Sequence, residues 1–238
     1  MKVQVIGSGS MWTKYNSACY LVDDDIMVDF PNGTCKYLYR LNIKPSKINH
    51  ILLTHFHGDH YFDIPFYILN KSKNNSKDIN IYCSKDGKSK INRIGKLAFP
   101  NSFNDAKSAT NIKYNFNNSF KIKDYKIIKL LVDHGRMKPA YGYIFECDNI
   151  KFSFTGDTTL CENVEYMANL CSYLFCDCMF INATTKHSGI DNLEYLSNKY
   201  PNCKFVVSHL EDETREKLKE MKIKNIIVPE DGDIFKIK

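Results

Sequence analysis

Apolar residues fall in short runs rich in Val, Ile, Leu, Phe and Tyr, broken by Gly, Asn, Asp and Lys. This is the texture of strands with interleaved helices. Lys2 to Ile6 predicts a strand that ends in the turn Gly7-Ser8-Gly9-Ser10. Cys19 to Val22 and Ile26 to Phe30 predict two strands joined at Asp23-Asp24-Asp25, a hairpin signal. Asn32-Gly33 opens a short helix to about Leu41, and Ile48 to Leu53 is a compact run that ends in a cluster of histidines. A helical pattern follows from Tyr61, then a polar loop from Lys71 to Asp78, a strand from Ile79 to Cys83 and a lysine-bearing helix to about Phe99. Pro100 to Asn118 is rich in Asn and Ser with interspersed aromatics, and reads either as a mobile flap or as a surface connection. Four strand-like segments come next: Ser119 to Lys123, Tyr125 to Val132, Tyr141 to Cys147 and Ile150 to Phe154. The last third alternates: helix Glu162 to Leu170, strand Leu174 to Phe180, helix Asp191 to Tyr200, strand Phe205 to Ser208, helix Asp212 to Met221, strand Ile226 to Val228. Strands grouped in this way, with helices before and after, favour an α/β sandwich over a doubly wound sheet.

No repeat or linker interrupts the 238 residues, so a single domain spanning 1–238 is expected. There is no apolar run of bilayer length, and Met1 to Ser10 lacks the charged-then-apolar pattern of a signal peptide, so the cytoplasm is the expected compartment. The nine cysteines are odd in number and fit free thiols in reducing surroundings. Cys176-Asp177-Cys178 lies in an apolar run without a second pair at zinc-finger spacing, so both cysteines read as small buried hydrophobes. The net charge of +6 is mild, and only four of the 33 basic residues are arginine. Lysine scattered in this way reads as a solvated surface, because nucleic-acid recognition draws on the guanidinium fork.

The chemistry is concentrated in Thr54-His55-Phe56-His57-Gly58-Asp59-His60, directly after a buried run. In extended chain His55 and His57 project to the same side, and a turn at Gly58 lets Asp59 and His60 approach from another direction. Two donor sets separated by one turn suit two adjacent cations; imidazole and carboxylate suit zinc, with manganese or iron as options. Three further donors stand at expected strand ends: His134, Asp157 in Thr155-Gly156-Asp157-Thr158, and His209 after Ser208. Loops of one sheet rim gather there.

With these elements in this order, the chain resembles the metallo-β-lactamase superfamily and, within it, the ribonuclease Z-like phosphodiesterase branch. The resemblance covers essentially the whole chain and implies an αββα fold of two packed mixed sheets flanked by helices. It implies that His55, His57 and His134 hold one metal, that Asp59, His60 and His209 hold the second, and that Asp157 bridges them. A hydroxide formed on two such cations would attack phosphorus in line, with Asp59 orienting it or taking its proton. His187, in Lys186-His187-Ser188-Gly189, is the candidate acid for the leaving alkoxide, although its surroundings depart from the family's His-Glu-Ser-Thr box. Asp29 is a candidate partner for a ligand histidine. Arg136 is a candidate anion contact or a solvated side chain, and Ser8 and Ser10 are rim residues or simply parts of a tight turn.

The expected function is therefore a binuclear-metal hydrolase, a phosphodiesterase on a small or cyclic-nucleotide substrate. Ribonuclease Z carries a long tRNA-gripping arm that the resemblance would place between His134 and Asp157, and only 23 positions separate those residues here. Folded RNA is thus the less favoured partner. The compact form is similar to anti-Pycsar cyclic-nucleotide phosphodiesterases, which implies a homodimer in which an aromatic loop of the partner subunit reaches the active site; Pro100 to Asn118, with Phe103, Tyr114 and Phe116, is the candidate for that loop, a solvated connection being the alternative. The alternatives are tRNA 3′ processing, hydrolysis of an ester, thioester or lactam, and a metal-stabilised binding module without catalysis.

Overall fold

Strand-forming runs on the two sides of the chain's middle build two sheets, each with an antiparallel half and a parallel half. The computed structural model describes residues 1–74 and 77–238. The first sheet begins with β1 (Lys2–Gly7), β2 (Cys19–Val22), β3 (Ile26–Val28), β4 (His50–Leu52), β5 (Asp78–Tyr82) and β6 (Asn111–Asn115). The second contains β7 (Ser119–Ile122), β8 (Tyr125–Val132), β9 (Ala140–Cys147), β10 (Ile150–Phe154), β11 (Tyr173–Asp177), β12 (Lys204–Ser208) and β13 (Ile226–Ile227). A last strand, β14 (Ile234–Lys236), returns to pair antiparallel with β1 and completes the first sheet. The helices are α1 (Thr34–Arg40), α2 (Gly58–Tyr61), α3 (Ile64–Ser72), α4 (Gly87–Ala98), α5 (Phe103–Ser108), α6 (Glu162–Leu170), α7 (Ile190–Lys199) and α8 (Asp212–Met221).

Three apolar layers follow from this order. Between the sheets, Val3, Val5, Val22, Val28 and Leu52 meet Ile127, Phe145, Phe152, Phe154, Phe175 and Val206. The aromatic members stack, with Phe145 on Phe152 at 5.0 Å and Phe154 on Phe175 at 4.9 Å between ring centroids. Each such side chain contributes about 1.5–3 kcal/mol by leaving water. The outer face of the first sheet packs on α1, α3, α4 and α5 through Leu38, Ile64, Ile68, Ile91 and Phe103. That of the second packs on α6, α7 and α8 through Val164, Leu193, Leu196 and Leu218. The expected αββα sandwich of mixed sheets is what the chain forms.

Several boundaries depart from the sequence expectation for local reasons. β3 stops at Val28 because Asp29 turns into the left-handed region, with φ 61°. The run from Leu174 to Phe180 is strand only as far as Asp177, whose carboxylate turns back to accept the Met179 N–H at 3.0 Å. Pro100 to Asn118 is more than a surface connection: it holds α5 and the edge strand β6, and Phe103 is fully buried in the core. Of the polar stretch from Lys71 to Asp78, the first two residues belong to α3 and residues 75 and 76 lie outside the described residues. Among the described residues no helix is long and apolar enough to cross a membrane.

Candidate metal centre

Parallel strands leave their carboxy-terminal ends at one rim, and the chemistry-bearing residues emerge there. Beyond β4 the backbone bends at Thr54 and is extended again at His57, and His55 and His57 stand edge to face at 4.7 Å between ring centroids. The next turn is α2, which carries Asp59 and His60. Gly58 serves this turn differently from the expectation. Its φ is not left-handed, and a Cβ at this position would meet only the end of the exposed Phe62 ring, at 2.8 Å, which can swing away. His134 follows β8, Asp157 follows β10 and His209 follows β12. Gly156 has φ +63° and a Cβ there would strike Thr54 Cβ at 2.7 Å, so only glycine delivers Asp157 to this place. His209 is itself left-handed, with φ 58°.

The result is a carboxylate surrounded by imidazoles. Asp157 Oδ2 lies 3.2 Å from His60 Nε2, 3.3 Å from His209 Nε2, 3.7 Å from His55 Nε2 and 3.9 Å from His134 Nε2. His57 Nδ1 is 3.1 Å from His134 Nε2, and Asp59 Oδ2 is 3.7 Å from His60 Nε2. Two donor groups result, His55/His57/His134/Asp157 and Asp59/His60/His209, with the ligating atoms of each within 4.8 Å of one another. Inside this cluster His55 Nε2, His60 Nε2, His209 Nδ1 and both oxygens of Asp59 are buried without a hydrogen-bond partner. A carboxylate buried in this way is costly unless something positive meets it. The donor set therefore fits a divalent cation.

Outer contacts fix which nitrogen faces inward in three of the rings. Asp29 Oδ2 accepts the His60 Nδ1–H at 2.8 Å and the Thr54 hydroxyl at 2.7 Å, while Oδ1 accepts the Thr54 N–H at 2.8 Å. The Thr54 oxygen in turn lies 3.0 Å from His55 Nδ1, so one aspartate orients two rings. The Lys186 carbonyl does the same for His134 Nδ1 at 2.8 Å. Each leaves an Nε2 lone pair directed at the centre. Asp29 thus has the partner role proposed for it from the sequence.

Protonation favours the same reading. Burial pushes His55 well below the ordinary imidazole range and lowers His57 and His134, which keeps them neutral and able to ligate. Burial opposes the charge on Asp157, but His209, His60 and His55 outweigh it and hold the carboxyl well below its usual range. Burial also opposes the charge on His60, and here Asp157 and Asp29 prevail, leaving its pKa raised. A cation entering the centre would take the place of that proton.

His187 completes the rim. Its ring lies parallel to His209 at 5.1 Å and edge-on to His134 at 4.8 Å, and Asp157, His187 and His209 form a third group of converging donors. Its Nδ1 donates to Asp177 Oδ2 at 2.8 Å, an oxygen that also accepts the Thr158 N–H at 3.0 Å. Burial works against a charged His187, yet the hydrogen bond and charge of Asp177 raise its pKa. Asp177 stands between two cysteines, and nothing in its spacing along the chain links it to His187. The available signal was a carboxylate alone inside an apolar strand. Cys176 and Cys178 are buried among the helices behind β11, as expected. Ser8 and Ser10 belong to the turn: Ser8 donates to Asp231 at 2.8 Å and Ser10 to Glu211 at 2.7 Å. Arg136 is exposed.

Ribonuclease Z of Pyrococcus horikoshii is 33% identical over 124 residues, 51% of this chain and 38% of that protein. The chain spans less than half the length of the ribonuclease Z relatives it matches. Among solved structures, the metallo-beta-lactamase fold protein YhfI from Bacillus subtilis superposes with TM-score 0.77 at 17% identity over 98% of both chains. Human tRNase Z, short form, superposes with TM-score 0.76 at 18% identity over the full length of both. These structures establish the fold. The family model described as Anti-Pycsar protein Apyc1 matches residues 1–230, and the chain belongs to that family.

Proposed function

We propose that this chain is a metal-dependent phosphodiesterase acting on a small or cyclic-nucleotide substrate. The observation that carries the reading is the set of buried, unpartnered donors around Asp157, which makes chemical sense only with cations present. His55, His57 and His134 would hold one divalent cation and Asp59, His60 and His209 a second, with Asp157 available to either; these donors suit Zn²⁺, and Mn²⁺ or Fe is also compatible with them. When bound, the cations supply Lewis acidity toward the phosphoryl oxygens and an activated water. Asp59, whose carboxylate has no protein partner, accepts a proton from the attacking water. His187, with Nδ1 committed to Asp177, presents Nε2 as the acid for the leaving alkoxide, and Asp177 positions it.

The segment between His134 and Asp157 supports a small substrate, since it is occupied by β9, a two-residue turn and β10. Similarity to ribonuclease Z keeps tRNA 3′ processing as the second reading. The exposed apolar surface of Phe62, Phe66 and Leu97 supports a homodimer, and nine unpaired cysteines suit the cytoplasm. The test is hydrolysis by zinc- or manganese-loaded protein of 3′,5′- and 2′,3′-cyclic nucleotides, precursor tRNA and a chromogenic ester, together with elemental analysis. Cyclic-nucleotide hydrolysis with two ions per chain is expected. Cleavage of the tRNA alone would establish the second reading, and stoichiometric metal without any hydrolysis would leave a binding module.

A further inference from the structure

His55, His60 and His134 each have an outer contact on the ring nitrogen that faces away from the centre. His209 does not: its Nδ1 is buried and without a partner. What holds this ring is its stacking on His187 and its own backbone, which is left-handed at φ 58°. A residue with a side chain keeps that conformation where its neighbours hold it there. The next residue, Leu210, is clamped by the turn after β1. Its N–H donates to the Ser8 carbonyl at 3.2 Å, and its carbonyl accepts the Ser10 N–H at 3.1 Å.

The turn is itself held by a buried side chain, Arg215 of α8, 1% exposed. Its Nη2 donates to Ser8 Oγ at 2.8 Å and its Nη1 to the Pro229 carbonyl at 2.6 Å, and the guanidinium lies 3.7 Å from the Tyr15 ring centroid. Ser8 passes the contact on. Its hydroxyl and its N–H both donate to Asp231 Oδ1, at 2.8 and 3.0 Å, while Asp231 Oδ2 accepts the N–H and the side-chain amide of Asn16 at 2.7 and 2.8 Å. The planar fork of the guanidinium fixes the spacing of its two acceptors. Helix α8, the segment 229–231 and the turn therefore form one unit, with Leu210 seated against it.

We propose that Arg215 is a positioning residue for the second metal site: acting through Ser8 and Leu210, it holds the His209 ring toward Asp157. This role rests on the two-cation reading of the centre and is indifferent to what the substrate carries. An arginine that served the fold alone would, when lost, loosen all seven donors together. A clamp on Leu210 acts on one of them.

The experiment titrates the apo-protein with Co²⁺ against a chromophoric chelator, reading the affinity of each ion and the visible absorption of the bound cobalt, with His209→Ala assigning the second site. Arg215→Met should weaken the ion at Asp59, His60 and His209 about tenfold, the low end of the range for an outer contact. It should also change the cobalt spectrum of that ion and leave the ion at His55, His57 and His134 as in the wild type. Arg215→Lys, with one donating group for two acceptors, should restore part of the loss. Lys219→Met removes an exposed ion pair from the same helix to Glu230 and should change neither affinity. Ser8→Ala removes the shared hydroxyl and should give the same selective loss, which decides the matter if Arg215→Met does not fold. Equal weakening of both ions, or wild-type affinities and spectrum in the folded variants, would overturn the positioning role and leave the two-cation centre standing. A wild-type protein that takes up a single ion would overturn both.

Discussion

Asp29→Asn isolates the contribution of outer contacts to metal affinity. Asp29 accepts three hydrogen bonds, one from His60 Nδ1 and two from Thr54, and it is 3% exposed. Asparagine keeps the shape and readily adopts the left-handed backbone found here, so strain is not introduced. It has only one accepting oxygen, however. With its amide nitrogen at the Oδ2 position, neither the His60 Nδ1–H nor the Thr54 hydroxyl finds an acceptor. With the amide reversed, the buried Thr54 N–H faces another N–H. Either arrangement costs about 1–3 kcal/mol. The first releases His60 to the tautomer that carries its proton on Nε2, which cannot ligate. Loss of such a partner typically lowers metal affinity about 10–100-fold, equivalent to about 1.4–2.7 kcal/mol. Competition between the apo-protein and a chromophoric chelator measures this directly, with circular dichroism as the check on folding. The expected result is weakening of the ion held by Asp59, His60 and His209, with the other ion held more nearly as in the wild type. A folded variant that retains wild-type affinity at full stoichiometry would refute the reasoning.

Four further outcomes follow from the same structure. His187→Ala should lower turnover about 10²–10⁴-fold for an alkoxide leaving group, and far less for p-nitrophenolate, without loss of metal by elemental analysis; Asp177→Asn should show the same leaving-group pattern in milder form. Asp25 is buried, which alone would raise its pKa, but Lys123 at 2.7 Å and Asn49 at 2.8 Å hold it below the usual carboxyl range. That stabilisation is complete above the ordinary carboxyl pKa and disappears as pH falls through the lower folded-state value. Asp25→Asn should therefore cost about 1 kcal/mol in urea unfolding at pH 7 and much less near pH 3. Gly156→Ala, at φ +63° and against Thr54, should destabilise by about 1–3 kcal/mol in denaturant titration. Chelation of the loaded protein should lower the melting temperature by several degrees, reversibly on adding zinc, because the assembled donors of the folded chain bind the ions more tightly than the unfolded chain does.

The histidine-rich loop after β4 was legible because its donors crowd into a few residues behind a buried strand. The same holds for Asp157 and His209, since the parallel strands before them are short apolar runs with clear ends. Edge strands were harder. In β6 the alternation of Ile112 and Tyr114 with exposed Asn and Lys is present, but asparagine on the open edge made it read as loop. In β14 the alternation of inward Phe235 and Ile237 with exposed Ile234 and Lys236 is present but very short, and the strand owes its form to the free edge of β1. Asp177 was hidden for another reason: what makes it a partner of His187 is a contact across ten residues, which spacing along the chain does not reveal.

The donors are divided between the two sheets: His55, His57, Asp59 and His60 come from the first, His134, Asp157 and His209 from the second. The centre is therefore a clasp across the seam. A chain emerging from the ribosome carries half of it early, yet cannot close it until β12 has been made and docked. Until then the early histidines are an incomplete donor set, so an ion held by donors of both sheets would report that both halves of the molecule have found each other.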